Sequence, residues 1–303
     1  MTLTKGSITR LSVLSSIAVL MSALTVIFGT PFLRVIRNVY GSLIFWGLVF
    51  LFLCGTTLLK ADWLSFVVGS VWITTGISLE LEKRKVSFLT NSIVSLITGF
   101  IMSATGLLVV LKRLGVTDLA RATEYFQEAV KPLVKGQMNQ EVDYTALVLQ
   151  MPSMLFIVLL LSLAIGFLME RRIRFWFRLT KRRGNKDYVY KFDFLKFRVS
   201  DKLIWVALFS LLFSVLGGFG PDFKTLETVG SNLVNVFIVV YFFQGLAVLE
   251  HILIQIRAGV FLRTFSYFIF LGQLFLVLSI VGFLDFWFDF RGKIKLGINR
   301  QAT

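Results

Sequence analysis

The chain has 303 residues, 56% of them hydrophobic and 15% aromatic, and its mean hydropathy is +0.80. A water-facing shell cannot hide that much apolar surface at this length, which excludes a soluble globular domain, and the four prolines and low charged fraction exclude a disordered chain. The 32 Lys and Arg outnumber the 17 Asp and Glu by 15, an excess that in a membrane protein marks cytoplasmic loops.

About 20 apolar residues in a helix cross a hydrocarbon core about 30 Å thick. Such stretches lie at 11–29, 39–59, 63–79, 87–111, 151–169, 203–219, 231–249 and 264–284, which predicts an all-α, polytopic transmembrane helix bundle of about eight spans. The first follows Lys5 and Arg10, has no small-x-small cleavage site after it, and reads as an uncleaved span. Residues 1–111 form a first group of about four spans and 150–303 a second. Between them, 112–149 carries five basic and five acidic residues. Leu119, Ala122, Phe126, Ala129, Val130 and Leu133 fall at helical spacing there, predicting an extracytoplasmic amphipathic helix on the membrane surface. Residues 170–202 hold twelve Lys and Arg against four acids and are predicted to be a cytoplasmic loop. Alternation from that loop puts Lys83-Arg84-Lys85 inside and both termini outside, against the preference of Lys5, Arg10, Arg291 and Lys293. A re-entrant or additional short helix in each half would reconcile the two.

Polar side chains embedded in apolar spans are the candidates for function, because an amide in hydrocarbon needs a partner. Asn232, Asn235 and Gln244 are the candidate substrate-binding residues. At about 100° per residue, Asn232, Asn235 and Glu250 share one face, and Gln244 and His251 share another about 100° away. The alternative for all of them is interhelical hydrogen bonding that holds the bundle together. Asp285 and Asp289 lie one turn apart in an aromatic belt and read as a boundary anchor, with Asp289 pairing to Arg291. Small residues on the first span (Ser12, Ser16, Ala18, Ser22, Ala23) and the fourth (Gly99, Ser103, Gly106) permit close helix packing, inside the protein or against another subunit.

In the basic loop, Arg171, Arg172, Arg174, Arg178, Lys181, Arg182 and Arg183 interleave with Phe175-Trp176-Phe177. Aromatic stacking with basic side chains can bind single-stranded nucleic acid. Flanking spans instead point to contact with anionic lipid or a protein partner, and no nucleic acid is expected. One histidine and one cysteine, Cys54 in an apolar run, leave no material for a metal site. No phosphate loop, His-Glu-x-x-His, Gly-x-Ser-x-Gly or Cys-x-x-Cys occurs, so the chain is expected to be neither an enzyme nor its own ATPase and to need no cofactor.

Three stretches carry a resemblance. Asn235 with Gln244-Gly245-Leu246-Ala247-Val248, the ending Gly282-Phe283-Leu284-Asp285 with Trp287-Phe288-Asp289-Phe290-Arg291, and Phe197-Arg198-Val199-Ser200 before Trp205 together resemble the YybS-like family of bacterial multi-pass membrane proteins. Where the family pattern has proline, this chain has Ser200. The family is itself distantly similar to the substrate-binding S-components of energy-coupling-factor transporters. The resemblance implies a multi-pass protein of the bacterial cytoplasmic (inner) membrane that binds a small molecule and works with a membrane coupling subunit and separate ATPases. The alternative is a non-transporting membrane scaffold or assembly factor acting through its basic loop.

Overall fold

The computed structural model describes residues 5–116, 118–134, 143–177 and 194–293. The chain divides into two compact units, Met1–Phe192 and Asp193–Thr303. The boundary therefore falls in the basic segment rather than at the 112–149 connector. All regular elements among the described residues are helices, without strands.

The first unit holds α1 (Lys5–Thr25), α2 (Thr30–Tyr40), α3 (Ser42–Leu58), α4 (Asp62–Lys83), α5 (Phe88–Arg113), α6 (Leu119–Val134), α7 (Tyr144–Leu149) and α8 (Met151–Trp176). Its core gathers Leu14, Leu33, Ile36, Phe45, Trp72 and Leu159 around α2 and α4. Trp72 stacks on Phe52 (centroids 4.4 Å apart), and its indole N–H donates to Ser22 Oγ at 2.8 Å. The α5 stripe is used internally: a Cβ on Gly99 would lie 1.8 Å from Thr74 Oγ1, and one on Gly106 2.2 Å from Phe66. Buried hydroxyls on α4 are quiet because Thr74 and Thr75 donate to the carbonyls one turn back, Ser70 O (2.7 Å) and Val71 O (2.8 Å). Within 112–149 the helix expected from the apolar spacing is present as α6, and Asp143 caps α7 by accepting from the Thr145 and Ala146 amides.

The unexpected element is α2. Its 11 residues rise only about 16 Å, half of a hydrocarbon core, yet most of them are buried. It turns back along α1: the Tyr40 hydroxyl at its end donates to the Ser7 carbonyl at the start of α1 (3.4 Å). A Cβ on Gly29, at the tip between the two helices, would lie 1.8 Å from Ser22 Oγ. α1 and α2 are thus a hairpin whose ends meet. Gly41, at φ +103°, is the single residue between α2 and α3, a backbone setting that excludes most side chains. α3 then runs antiparallel to α4, tied at one end by Ser42 Oγ donating to Glu80 (2.5 Å) and at the other by Ser65 Oγ donating to Thr56 Oγ1 (2.6 Å).

The second unit holds α9 (Asp201–Leu216), α10 (Lys224–Gln255), α11 (Val260–Gly272) and α12 (Phe275–Phe288), with short 3-10 turns at 194–196, 217–219 and 221–223. α9 and α10 are antiparallel neighbours: a Cβ on Gly230 would collide with Phe213 and Ser214 backbone. α11 and α12 are bent by 98° at their junction. α11 starts beside the end of α10, where Glu250 meets Arg263 (3.9 Å) and accepts from the Tyr267 hydroxyl. α12 finishes beside the start of α9, with Phe286 under Arg198 (5.9 Å).

Among the described residues six helices are long and apolar enough to cross a bilayer: α1, α4, α5, α8, α9 and α10, or seven if the bent pair is counted as one span. The expected span at 39–59 is α3, whose 17 residues make a shorter apolar helix, and the one at 264–284 is the broken α11–α12 pair. The first unit thus contains, in α2, the additional short helix that its charges call for. α8, expected in the second group of spans, packs instead with α2, α4 and α5 of the first unit.

Candidate functional site

The α2 sequence reads Thr30-Pro31-Phe32-Leu33-Arg34-Val35-Ile36-Arg37-Asn38-Val39-Tyr40. Proline is tolerated in the first helical turn, and Leu33, Val35 and Ile36 supply the apolar contacts that draw the helix inward. Arg34, Arg37 and Asn38 go in with it. The Arg34 side chain is 1% exposed, and it is held by carboxylates from two other helices. Its Nη2 donates to Glu82 of α4 at 2.7 Å and its Nε to Glu170 of α8 at 3.0 Å. Glu170 also accepts from Asn38 Nδ2 (2.7 Å) and from Arg174 one turn along α8. Arg37 Nη2 approaches Glu80 at 3.4 Å. Phe167 covers a face of the Arg34 guanidinium, 4.0 Å from its centroid. Gly166 makes room for this arrangement, since a Cβ there would lie 2.9 Å from Arg34 Cδ and 2.8 Å from Thr30 Cγ2.

Three guanidiniums thus face three carboxylates, and the network is neutral as a whole. Neutrality is what permits burial, since an isolated ion costs several kcal/mol to desolvate. Glu80, Glu82 and Glu170 occupy the last turns of α4 and α8, next to exposed Lys83, Arg84, Lys85, Arg171 and Arg172. Sequence reasoning missed this site. The available signal was acid at the ends of two apolar runs where basic residues predominate, together with two arginines at i, i+3 between aliphatic residues.

The second unit has a smaller polar node. Gln244 is 1% exposed; its Oε1 accepts from the Val199 amide (2.9 Å) and its Nε2 donates to Asp285 Oδ2 (3.2 Å). Arg291 Nη2 donates to the same Asp285 oxygen at 2.6 Å, and its Nη1 donates to the carbonyls of Leu195 (3.1 Å) and Phe197 (3.0 Å). Gly245 and Gly282 bring α10 and α12 into backbone contact beside it: a Cβ on Gly245 would lie 1.9 Å from the Leu278 carbonyl, and one on Gly282 2.0 Å from that of Tyr241. The three stretches that carry the family resemblance meet at this node. The expected Asp289–Arg291 pairing is corrected, because Asp289 takes a left-handed backbone (φ 42°) that ends α12 and turns Arg291 back onto Asp285.

The three candidate substrate-binding residues do not converge. Asn232 and Asn235 are half-buried, and Asn232 Nδ2 donates to Thr228 O in its own helix at 2.8 Å. Asn235 is about 14 Å along the axis from Gln244 and on a different face, and Gln244 is occupied by Val199 and Asp285. Of the basic-loop residues, Arg171, Arg172 and Arg174 stand on the last turns of α8; the first two are exposed and Arg174 binds Glu170. Arg178, Lys181, Arg182 and Arg183 lie outside the described residues. No group of His, Cys, Asp or Glu that could hold a metal occurs among the described residues.

Apolar helices of spanning length, returning hairpins and a buried neutral ion network define a multi-pass α-helical membrane protein. The chain belongs to the family described as "Predicted membrane protein (DUF2232)", which it matches over residues 7–286, in keeping with its YybS-like motifs. No curated protein and no solved structure matches it.

Proposed function

We propose that the chain is the small-molecule-binding component of a transport system in a bacterial cytoplasmic membrane, without catalytic activity of its own. The observation that carries this is the burial of Arg34 on a half-length helix between Glu82 and Glu170. Ionisable groups inside a membrane bundle mark substrate or ion paths far more often than inert packing, and broken helices recur at transporter binding sites. Separate coupling and ATPase subunits supply the energy, since this chain has no phosphate loop. Lys83, Arg84, Lys85, Arg171 and Arg172 set that end of the first unit on the cytoplasmic side.

The test is purification of the tagged chain from its native membranes in mild detergent. A membrane subunit and ATP-hydrolysing subunits should come with it in fixed ratio. Recovery of the chain alone, or with envelope-assembly proteins only, would favour the second reading, a scaffold. That alternative has one observation behind it: Arg171, Arg172, Phe175 and Trp176 are all exposed at the end of α8, as a docking edge or a lipid-headgroup contact requires.

A further inference from the structure

Arg34 and Arg37 are one turn apart on α2, so their side chains lie next to each other at one end of the first unit. A guanidinium donates only in its own plane. In the Arg34 plane, Nε goes to Glu170 and Nη2 to Glu82, Phe167 covers a face, and the buried Nη1 has no acceptor among the described residues. Arg37 repeats the pattern. Its Nη1 reaches Asn38 Oδ1 at 3.3 Å, its Nη2 nears Glu80 without an aligned hydrogen bond, and its buried Nε has no acceptor among the described residues. These side chains are 1% and 5% exposed. Buried donors are rarely left empty, and two neighbouring guanidiniums with spare N–H groups match a planar or tetrahedral oxyanion. Glu80, 31% exposed, opens the Arg37 side to the exterior, and the exposed Lys83, Arg84, Lys85, Arg171 and Arg172 around that end attract anions toward it.

We infer that Arg34 and Arg37 of α2 form a receptor for an oxyanion, a carboxylate or phosphate, borne by a free solute or by a phospholipid headgroup. For a free solute this deepens the transport reading above and names the class of molecule bound.

The test uses the full chain, delipidated in neutral detergent, with melting followed by tryptophan fluorescence. Sodium phosphate and sodium acetate are titrated at constant ionic strength, and phosphatidylglycerol is titrated in parallel against phosphatidylcholine. At least one oxyanion source should raise Tm saturably, and Arg37→Gln should raise the half-saturating concentration about tenfold or more, the loss of one charge-assisted hydrogen bond. Should Arg37→Gln not melt cooperatively, Arg37→Lys takes its place, keeping the charge toward Glu80 and losing the planar fork. The Lys112→Gln variant should stay within about twofold of the wild type, because an exposed charge at the far end of α5 acts on a bound anion only through screened solvent. Saturation by phosphate or acetate assigns a solute site, and saturation by phosphatidylglycerol alone assigns a headgroup site; both support the receptor. A flat response to all of them, or one unchanged in both Arg37 variants, overturns it. Copurifying ATPases alongside a flat titration would leave the transport reading standing and remove the oxyanion.

Discussion

Replacing Gly245 by alanine probes the closest helix contact in the second unit. The new Cβ would start 1.9 Å from the Leu278 carbonyl oxygen, where ordinary contact begins at 3.4 Å, so α10 and α12 must separate by about 1.5 Å. Backbone on both sides leaves no flexible side chain to give way. Overpacking of this kind costs about 1–3 kcal/mol. The separation also stretches the 3.2 Å bond from Gln244 to Asp285 beyond hydrogen-bonding range, removing an interhelical bond of about 0.6 kcal/mol. The expected destabilisation is about 2–4 kcal/mol, read as the shift of an SDS-unfolding midpoint in mixed micelles by circular dichroism. Gly282→Ala strains the same contact, so the double variant should lose clearly less than the two single losses combined. Gly47→Ala on α3 is the control: nothing lies within 4 Å of its Cβ, and replacing a glycine inside a helix should leave stability equal or raise it by up to about 1 kcal/mol. A Gly245→Ala midpoint indistinguishable from wild type, with Gly47→Ala equally silent, would refute the backbone contact.

Arg34→Met should destabilise the first unit by about 3–5 kcal/mol in the same titration, because it removes the buried guanidinium that Glu82 and Glu170 share. Adding Glu82→Gln and Glu170→Gln should recover much of that loss, and a triple variant as unstable as the single one would contradict the ion-pair account. Gln244→Ala should cost about 1 kcal/mol and speed hydrogen exchange at the Val199 amide, which loses its acceptor; unchanged Val199 protection would count against the node. In a Cys54→Ser background, membrane-impermeant thiol reagents should label Gly6→Cys from the same side as Arg172→Cys, and Lys293→Cys from the same side as Lys202→Cys. Opposite-side labelling within either pair would break the corresponding hairpin.

The apolar helices were legible because lipid as solvent imposes one length and one composition: α1, α3, α4, α5, α8, α9 and α10 all lie where hydropathy put them, most with longer ends. The helix α6 was legible from its period. α2 was not, because a window containing Arg34, Arg37, Asn38 and Pro31 looks like a polar link. What makes its burial possible is carboxylate 48 and 136 residues away, and such distant neutralisation leaves no local trace. Gln244 announced itself as an amide in hydrocarbon, but its partners Val199 and Asp285 are set by how three segments cross. Charge mismatch at the N-terminus pointed to an additional short helix in the first half, though not to its position.

The long reach of the Arg34 contacts has a consequence for how the protein is made. Each arginine placed alone at bilayer depth costs about 2.5–3.5 kcal/mol at the translocon, so α2 has no stable seat when it first emerges. Glu170 is synthesised 136 residues later, on the order of ten seconds at about 5–20 residues per second. During that interval α4 alone can neutralise α2, through Glu80 and Glu82, and the network closes only when α8 brings Glu170. A nascent chain arrested at residue 150 should leave a cysteine at position 36 open to water-soluble thiol reagents, and one arrested beyond residue 220 should not.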